Sequence, residues 1–102
     1  MQNQNTITLS QNKVLFPLGQ TVMTIGAKEA LEESGEQPFD FLSRHQTGDY
    51  GLIGKEDWNE NDFLVKEGFR ILSAYKTALV VNIWCITEGD RSSTTVLLPS
   101  EY

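Results

Sequence analysis

The chain has 102 residues, of which 39% are hydrophobic, and its fourteen acids against eight Lys and Arg give a net charge of −6. The hydrophobic share is enough for the core of one small domain and argues against a disordered chain, whereas the acidic balance disfavours broad nucleic-acid binding. No apolar run approaches the roughly 20 residues that span a bilayer, and the first residues lack a secretory-signal pattern, so we predict a cytoplasmic protein without membrane contact.

The first elements along the chain are weakly marked. Residues 1–12 are rich in Gln, Asn and Thr, which predicts a flexible amino-terminal arm or at most a weak edge strand. Residues 17–19, Pro-Leu-Gly, favour a bend, and Val22 and Met23 after it are interpreted as a short strand or an extended lead-in. A single domain is predicted over residues 13–102.

Three helices are predicted over residues 25–34, 38–46 and 55–67. Thr24 is a suitable N-cap for the first helix, because its hydroxyl can accept from an amide of the first turn, and Gly35 is suited to end that helix. The residues predicted to face the core from the three helices are Ala27, Ala30 and Leu31, then Phe39, Phe41 and Leu42, then Trp58, Phe63, Leu64 and Val65.

The β-branched and aromatic residues of the last third predict an antiparallel meander, with strands over about residues 69–76, 80–88 and 93–98. Gly89 and Asp90 favour the second turn of the meander. The first turn, within KTALVVN, lacks Gly, Pro and Asp, so its geometry is not predicted. The fold class is therefore α+β, with two to three helices packed on one side of a mainly antiparallel sheet of three or four strands.

No motif in the sequence indicates a metal site or a cofactor site, and we predict neither. Zinc would need several Cys and His ligands, and the chain has one of each; there is also no Gly-rich phosphate loop. Cys85 lies among apolar residues in mid-strand, which predicts a buried, inert thiol. A reactive thiol paired with His45 is the alternative.

The segment RHQTGDYG holds the only histidine of the chain. One interpretation makes His45 a general acid or base that Asp49 orients, because imidazole titrates near neutral pH. The other interpretation has His45 making a hydrogen bond that ends the second helix, Asp49 capping a turn and Tyr50 packing into the core. We favour the second interpretation.

A second candidate set lies on the meander, where the fold outline resembles that of small ribonuclease toxins and barnase-like enzymes. By that analogy Arg70, Tyr75 and Arg91 would bind phosphate, and His45 would act as acid and base. Fold analogy is a weak argument for function, and the acidic balance opposes it. The alternative is that these side chains have ordinary roles in strands and turns.

The negative charge is concentrated in the predicted helices. Residues 29–67 hold eleven acids against three Lys and Arg, which gives that segment a net charge of −8. Solvated helix faces are one explanation, and a surface for a basic protein partner is the other. The predicted binding residues are Asp49, Tyr50, Glu56, Asp57 and Glu60.

Three segments, RHQTGDYG, RILSAY and ITEGDRSSTTVLLPSEY, carry a resemblance that covers about residues 15–102. With their pattern RHxxGDxG, RxLSAY and ITExDRSxTTxLLPxEY, the chain resembles a family of small uncharacterised bacterial proteins described as plasmid-related. The chain departs from that family at Ile25, where Pro is common, and at residues 78–80, where Gly is common. The resemblance implies a mobile-element setting in a bacterial cytoplasm and implies no known activity.

The function that we predict from these observations is that of an accessory protein of plasmids or mobile elements that acts by binding. A metal-independent ribonuclease that uses His45 and the sheet residues is the alternative.

Overall fold

The computed structural model describes residues 13–102, so the predicted amino-terminal arm lies outside the described residues. Three helices and a sheet of four strands make an α+β fold, as the sequence predicts. The three helices begin and end at the predicted residues. The elements in chain order are β1 (Gln20–Met23), α1 (Ile25–Ser34), α2 (Pro38–Gln46), α3 (Lys55–Glu67), β2 (Ile71–Lys76), β3 (Asn82–Thr87), β4 (Ser93–Leu97) and a 3-10 helix (Pro99–Glu101).

The sheet has the strand order β1-β4-β3-β2. Strands β2, β3 and β4 form the predicted antiparallel meander. The segment at Val22 and Met23 belongs to an edge strand, β1, which pairs in parallel with β4 and places Met23 beside Val96. The sheet is therefore mixed but mainly antiparallel, as predicted.

Alternate residues of the meander turn toward the helices, because side chains in a strand point to opposite faces in turn. Tyr75, Ile83, Cys85 and Val96 form a core with residues of α1 and α2, and each is at most 1% exposed. The helix residues in this core are Ala27, Ala30, Leu31, Phe41 and Leu42. The same inward positions also carry three buried hydroxyl side chains, those of Ser73, Thr87 and Thr94.

Helix α1 begins and ends as its sequence indicates. The hydroxyl oxygen of Thr24 accepts from the amide of Ala27 over 3.2 Å, and Gly35 ends the helix with φ of 75°. The Thr24 hydroxyl also donates to the carboxylate of Glu101, which accepts the amide of Gly26 as well. The 3-10 helix is thereby tied to the first turn of α1.

Two core predictions for the helices are wrong. The side chain of Phe39 is 61% exposed and that of Phe63 is 56% exposed. In α3 the one buried residue is Asn61, while Trp58, Leu64 and Val65 are half-buried against a smaller cluster of Phe16, Tyr50 and Ile71. Helix α3 therefore packs beside the sheet along a narrow stripe and leaves most of its surface in solvent.

The turn between β2 and β3 is a three-residue loop. Thr77 and Val81 close it, because the Thr77 amide donates to the Val81 carbonyl over 2.9 Å and the Val80 amide donates to the Thr77 carbonyl over 2.8 Å. Val80, the last loop residue, has φ of 65°. Hairpin loops of this length use a left-handed residue at that position, usually Gly, and a β-branched residue there is strained.

Candidate functional site

His45 lies in the closed interior between α2 and the sheet and is 0% exposed. Its Nδ1 lies 2.5 Å from the hydroxyl oxygen of Ser73, and its Nε2 lies 2.8 Å from that of Thr87. The ring of Phe16 meets the imidazole edge-on at 5.1 Å between centroids. Both ring nitrogens are therefore hydrogen-bonded to side chains of the sheet, and Phe16 provides a third contact with the ring.

Ser73, His45, Thr87, Thr94 and the carbonyl of Leu18 form a series of hydrogen bonds. The carbonyl at the end of the series determines the direction of every bond in it. Thr94 must donate to the carbonyl of Leu18, which lies 2.8 Å away and can only accept. Thr94 consequently accepts from Thr87 at 2.7 Å, and Thr87, having used its hydrogen, accepts from Nε2 of His45. The neutral imidazole is then left with Nδ1 as an acceptor, which receives the hydroxyl hydrogen of Ser73.

The environment keeps this imidazole uncharged. Burial, with a smaller contribution from the positive charge of Arg91, lowers the pKa of His45 from 6.5 to about 4. Protonation of Nδ1 would also take away the acceptor to which the Ser73 hydroxyl donates its hydrogen. At neutral pH the residue therefore serves as a neutral link between α2 and two strands.

Asp49 pairs with Arg44 and not with His45. Arg44 Nε donates to the Asp49 carboxylate over 2.7 Å, and that carboxylate also accepts the amide of Gly51 over 3.2 Å. The hydrogen bond from Arg44 is the main reason that the pKa of Asp49 lies below its usual value. The carboxylate thus holds the turn that joins α2 to the next segment.

Tyr75 and Tyr50 pack in the interior on either side of this turn. Tyr75 is 1% exposed and donates its hydroxyl to the Asp49 carbonyl over 2.6 Å, while Arg44 lies 4.5 Å above its ring. Tyr50 is 0% exposed and contacts Trp58 edge-on. Burial first, and then the charge of Asp62, raise the pKa of Tyr50 to about 12, so its phenol stays protonated at neutral pH.

Arg70 lies at the surface, where its guanidinium binds Glu88 and Tyr102. Nη2 and Nε lie 3.0 and 3.2 Å from the same Glu88 oxygen, and Nη1 donates to the Tyr102 hydroxyl over 3.1 Å. Its charge is therefore balanced by a neighbouring carboxylate.

Arg91 ties the turn before β4 to the end of α3. Its Nη1 donates to the carbonyl of Phe69 over 2.7 Å, and its Nη2 donates to those of Leu64 and Val65 over 3.3 and 3.2 Å. Carbonyls at a helix carboxyl end carry partial negative charge, which favours a cation there. The residue holds φ of 62° while making these contacts.

The four residues of the ribonuclease hypothesis do not meet in an open cleft. His45 and Tyr75 are closed to solvent, and the guanidinium groups of Arg70 and Arg91 already bind a carboxylate and backbone carbonyls. Because His45, the acid and base of that hypothesis, is 0% exposed, it cannot exchange a proton with an RNA bound at the surface.

The acidic residues of α3 are placed differently, because Glu56, Asp57 and Glu60 are all exposed. Within residues 13–102 the ion pairs are Lys28–Glu32, Arg44–Asp49 and Arg70–Glu88, so none of the three α3 carboxylates has a cation within 4.0 Å there. Asp57 and Glu60 also line a cavity of about 210 Å³ between α3 and β2, together with Ile53, Asn61, Leu64, Arg70 and Leu72.

The thiol of Cys85 is 0% exposed, and burial raises its pKa to about 12. Such a thiol stays protonated and is a poor nucleophile. In the described part of the chain, no group of three or more His, Cys, Asp and Glu side chains is arranged to hold a metal ion. No helix among residues 13–102 combines the length and the hydropathy that crossing a bilayer requires.

Two residues that matter to these sites are absent from the predicted set. Thr87 accepts a hydrogen bond from Nε2 of His45. It alternates with Ile83 and Cys85 along β3, so its hydroxyl is expected on the same buried face of the sheet. Asn61 follows Trp58 by three residues and precedes Leu64 by three, so helical spacing places it on the packed stripe of α3. Both signals are present in the sequence.

Comparison of the chain with protein-family models, with curated proteins and with solved structures finds no match. The resemblance to plasmid-related proteins therefore stays a prediction.

Proposed function

We propose that this chain is an accessory, protein-binding module of plasmids or mobile elements, and that the acidic face of α3 contacts a basic protein partner. The acidic face comprises Glu56, Asp57 and Glu60. The observation that carries the proposal is that these three exposed carboxylates share one helix and have no cation partner within residues 13–102. A basic partner would supply the missing positive charge.

The exposed Phe63 supports a protein as the partner. It follows Glu60 by three residues and Glu56 by seven, so the aromatic ring and the carboxylates lie on adjoining positions of the helix surface. Its side chain is 56% exposed, although aromatic rings are normally buried in a domain of this kind. Aromatic residues are enriched in the cores of protein interfaces, and polar groups lie at their rims.

Binding is favoured over catalysis because the groups that would carry acid–base chemistry serve the fold. His45 is neutral and enclosed, and its two nitrogens are occupied by Ser73 and Thr87. The mobile-element setting and the bacterial cytoplasm rest on the resemblance of the sequence alone.

The test is affinity purification of the tagged chain from a bacterial host that carries it. We expect one basic protein to be retained by the unmodified chain and lost from the variant E56K/D57K/E60K, with thermal unfolding showing that the variant is folded. The matched control E29K/E33K reverses two exposed acids of α1 and should retain the partner. The variant F63S should weaken retention as well, because non-specific attraction between charges would not need the ring.

Retention of the same partner by E56K/D57K/E60K would contradict the proposed surface. Failure of the unmodified chain to retain any protein would remove the support for a binding module.

A further inference from the structure

The cavity between α3 and β2 has one polar and one apolar side. Its apolar wall consists of Ile53, Leu64 and Leu72, and its polar wall carries Asp57, Glu60, Asn61 and Arg70. Leu72 lies on the edge strand of the sheet, so the cavity lies where α3 covers that edge.

Asn61 brings a buried side-chain amide to the wall of this cavity. The residue is 4% exposed, and its Nδ2 donates to the carbonyl of Leu72 over 2.8 Å. A carbonyl can only accept, so the orientation of the amide is determined and Oδ1 is the atom left over. Among residues 13–102 no hydrogen bond to this oxygen is present, and no fully enclosed side-chain oxygen there lacks a partner. Asn61 is one of the residues that line the cavity.

The charges around this acceptor are negative on balance. Asp57 and Glu60 carry no ion pair with any residue from 13 to 102. Arg70 is the only cation on the cavity wall, and its guanidinium is matched by Glu88 at 3.0 Å. Two carboxylates and one amide oxygen are thus offered to a donor, beside an apolar wall.

We infer that this cavity receives a lysine or arginine side chain of the basic partner, an inference that rests on the proposed function of the acidic face. The aliphatic stem would lie against Ile53, Leu64 and Leu72, since long cationic side chains bury their methylene groups on apolar surface. The cationic head would donate to Asn61 Oδ1 and to the carboxylates of Asp57 and Glu60. Hydrogen bonds between a cation and a carboxylate are among the strong ones in proteins.

The probe for the test is Nα-acetyl-lysine methylamide, with the arginine counterpart as a second probe and the norleucine counterpart as a neutral control. Titration is followed by the amide resonances of the side chain of Asn61 and of the backbone around Asp57, Glu60 and Leu72. We expect saturable shifts at these positions with the two cations, and no saturable shift with norleucine.

The variant D57N/E60Q keeps the shape of both side chains and removes their charge, so it should weaken cation binding by about tenfold or more. The matched control E29Q/E33Q removes the same charge at two exposed positions of α1 that do not line the cavity, and its affinity should change less than about threefold. Equal binding of lysine by D57N/E60Q, equal shifts with norleucine, or the absence of saturable shifts would each overturn the inference.

Different experimental results would contradict this inference and the proposed function. Should a partner be lost from E56K/D57K/E60K but kept in full by D57N/E60Q, the acidic face would stand and the cavity would not be its anchor point. Should the capped cations bind as expected while no protein partner is retained, the cavity would stand as a cation site and the protein-binding module would lose its support.

Discussion

The imidazole of His45 on α2 donates to the hydroxyl of Thr87 on β3 over 2.8 Å, across 42 positions of the chain. The bond is one link in a series that runs from Ser73 to the carbonyl of Leu18. Because the four side chains of the series are 0% exposed, the hydrogen bonds between them are strengthened by the apolar surroundings and would be costly to leave unmade. The only histidine of the chain therefore joins the helical layer to the sheet.

The pH dependence of stability should report the neutral state of His45. Its pKa is about 4 in the folded chain and 6.5 in the unfolded chain, so the unfolded state takes up the proton first. The stabilisation is complete above pH 6.5 and is lost as the pH falls toward 4, by roughly 3 kcal/mol in total. Urea unfolding at a series of pH values would measure it.

The control for that experiment is His45→Gln, which has no group titrating in this range. The variant should be less stable at neutral pH but should lose the slope between pH 6.5 and about 5.5, a range that lies above the ordinary Glu pKa of 4.5. An unchanged slope in His45→Gln would contradict the assignment.

Replacement of Thr87 by Val tests the direction of the hydrogen-bond series. The substitution preserves side-chain shape but leaves the Nε2 hydrogen of His45 without an acceptor, which should lower the free energy of unfolding by about 1–3 kcal/mol. Thr95→Val is the matched control, because Thr95 lies one residue along β4 from Thr94, is half-buried and takes no part in the series. Equal losses in the two variants, measured by urea unfolding, would count against the series.

Relief of the strained turn should stabilise the chain. Val80 has φ of 65° and is 68% exposed, so Val80→Gly removes a steric cost without removing a buried contact. We expect a gain of about 1 kcal/mol in unfolding free energy. Val80→Ala keeps a Cβ at the same φ and should gain much less; a similar gain for Ala and Gly would show that the backbone conformation is not the cause.

A proline at the first position of α1 should also stabilise. Ile25 is 76% exposed, and the preceding Thr24 has φ of −73° and ψ of 161°, the extended conformation that a following proline favours. Proline suits this helix position and restricts the unfolded chain, so Ile25→Pro should add about 0.4–1 kcal/mol. In thermal unfolding, Ile25→Ala serves as the control for loss of the side chain, and a melting temperature for Ile25→Pro below that of Ile25→Ala would refute the prediction.

The ribonuclease hypothesis has a direct test. Because His45 and Tyr75 are enclosed, we expect the purified chain to leave single-stranded RNA intact and its expression to be harmless. Cleavage that disappears in Arg70→Ala, a substitution at the exposed surface that should leave the fold unchanged, would reverse this expectation and revive the enzyme interpretation.

The helices and the meander are set by signals that act over a few residues. Thr24 and Gly35 bound α1 because a hydroxyl can accept from an amide of the first turn and a glycine can adopt positive φ. Alternation along β2 and β3 places Ile71, Ile83 and Cys85 on one face, since the period of a strand is two. These features follow from the sequence by itself.

The tertiary structure decided the roles of the residues that look reactive. Local patterns do not say which strand hydroxyls will meet His45, because Ser73 and Thr87 reach it only after β2 and β3 pair and α2 packs across them. The same holds for Asn61, whose hydrogen bond to the Leu72 carbonyl depends on where the edge of β2 passes α3. Burial and partner choice arise from contacts distant in the chain, and these contacts separate the enclosed histidine from the exposed carboxylates.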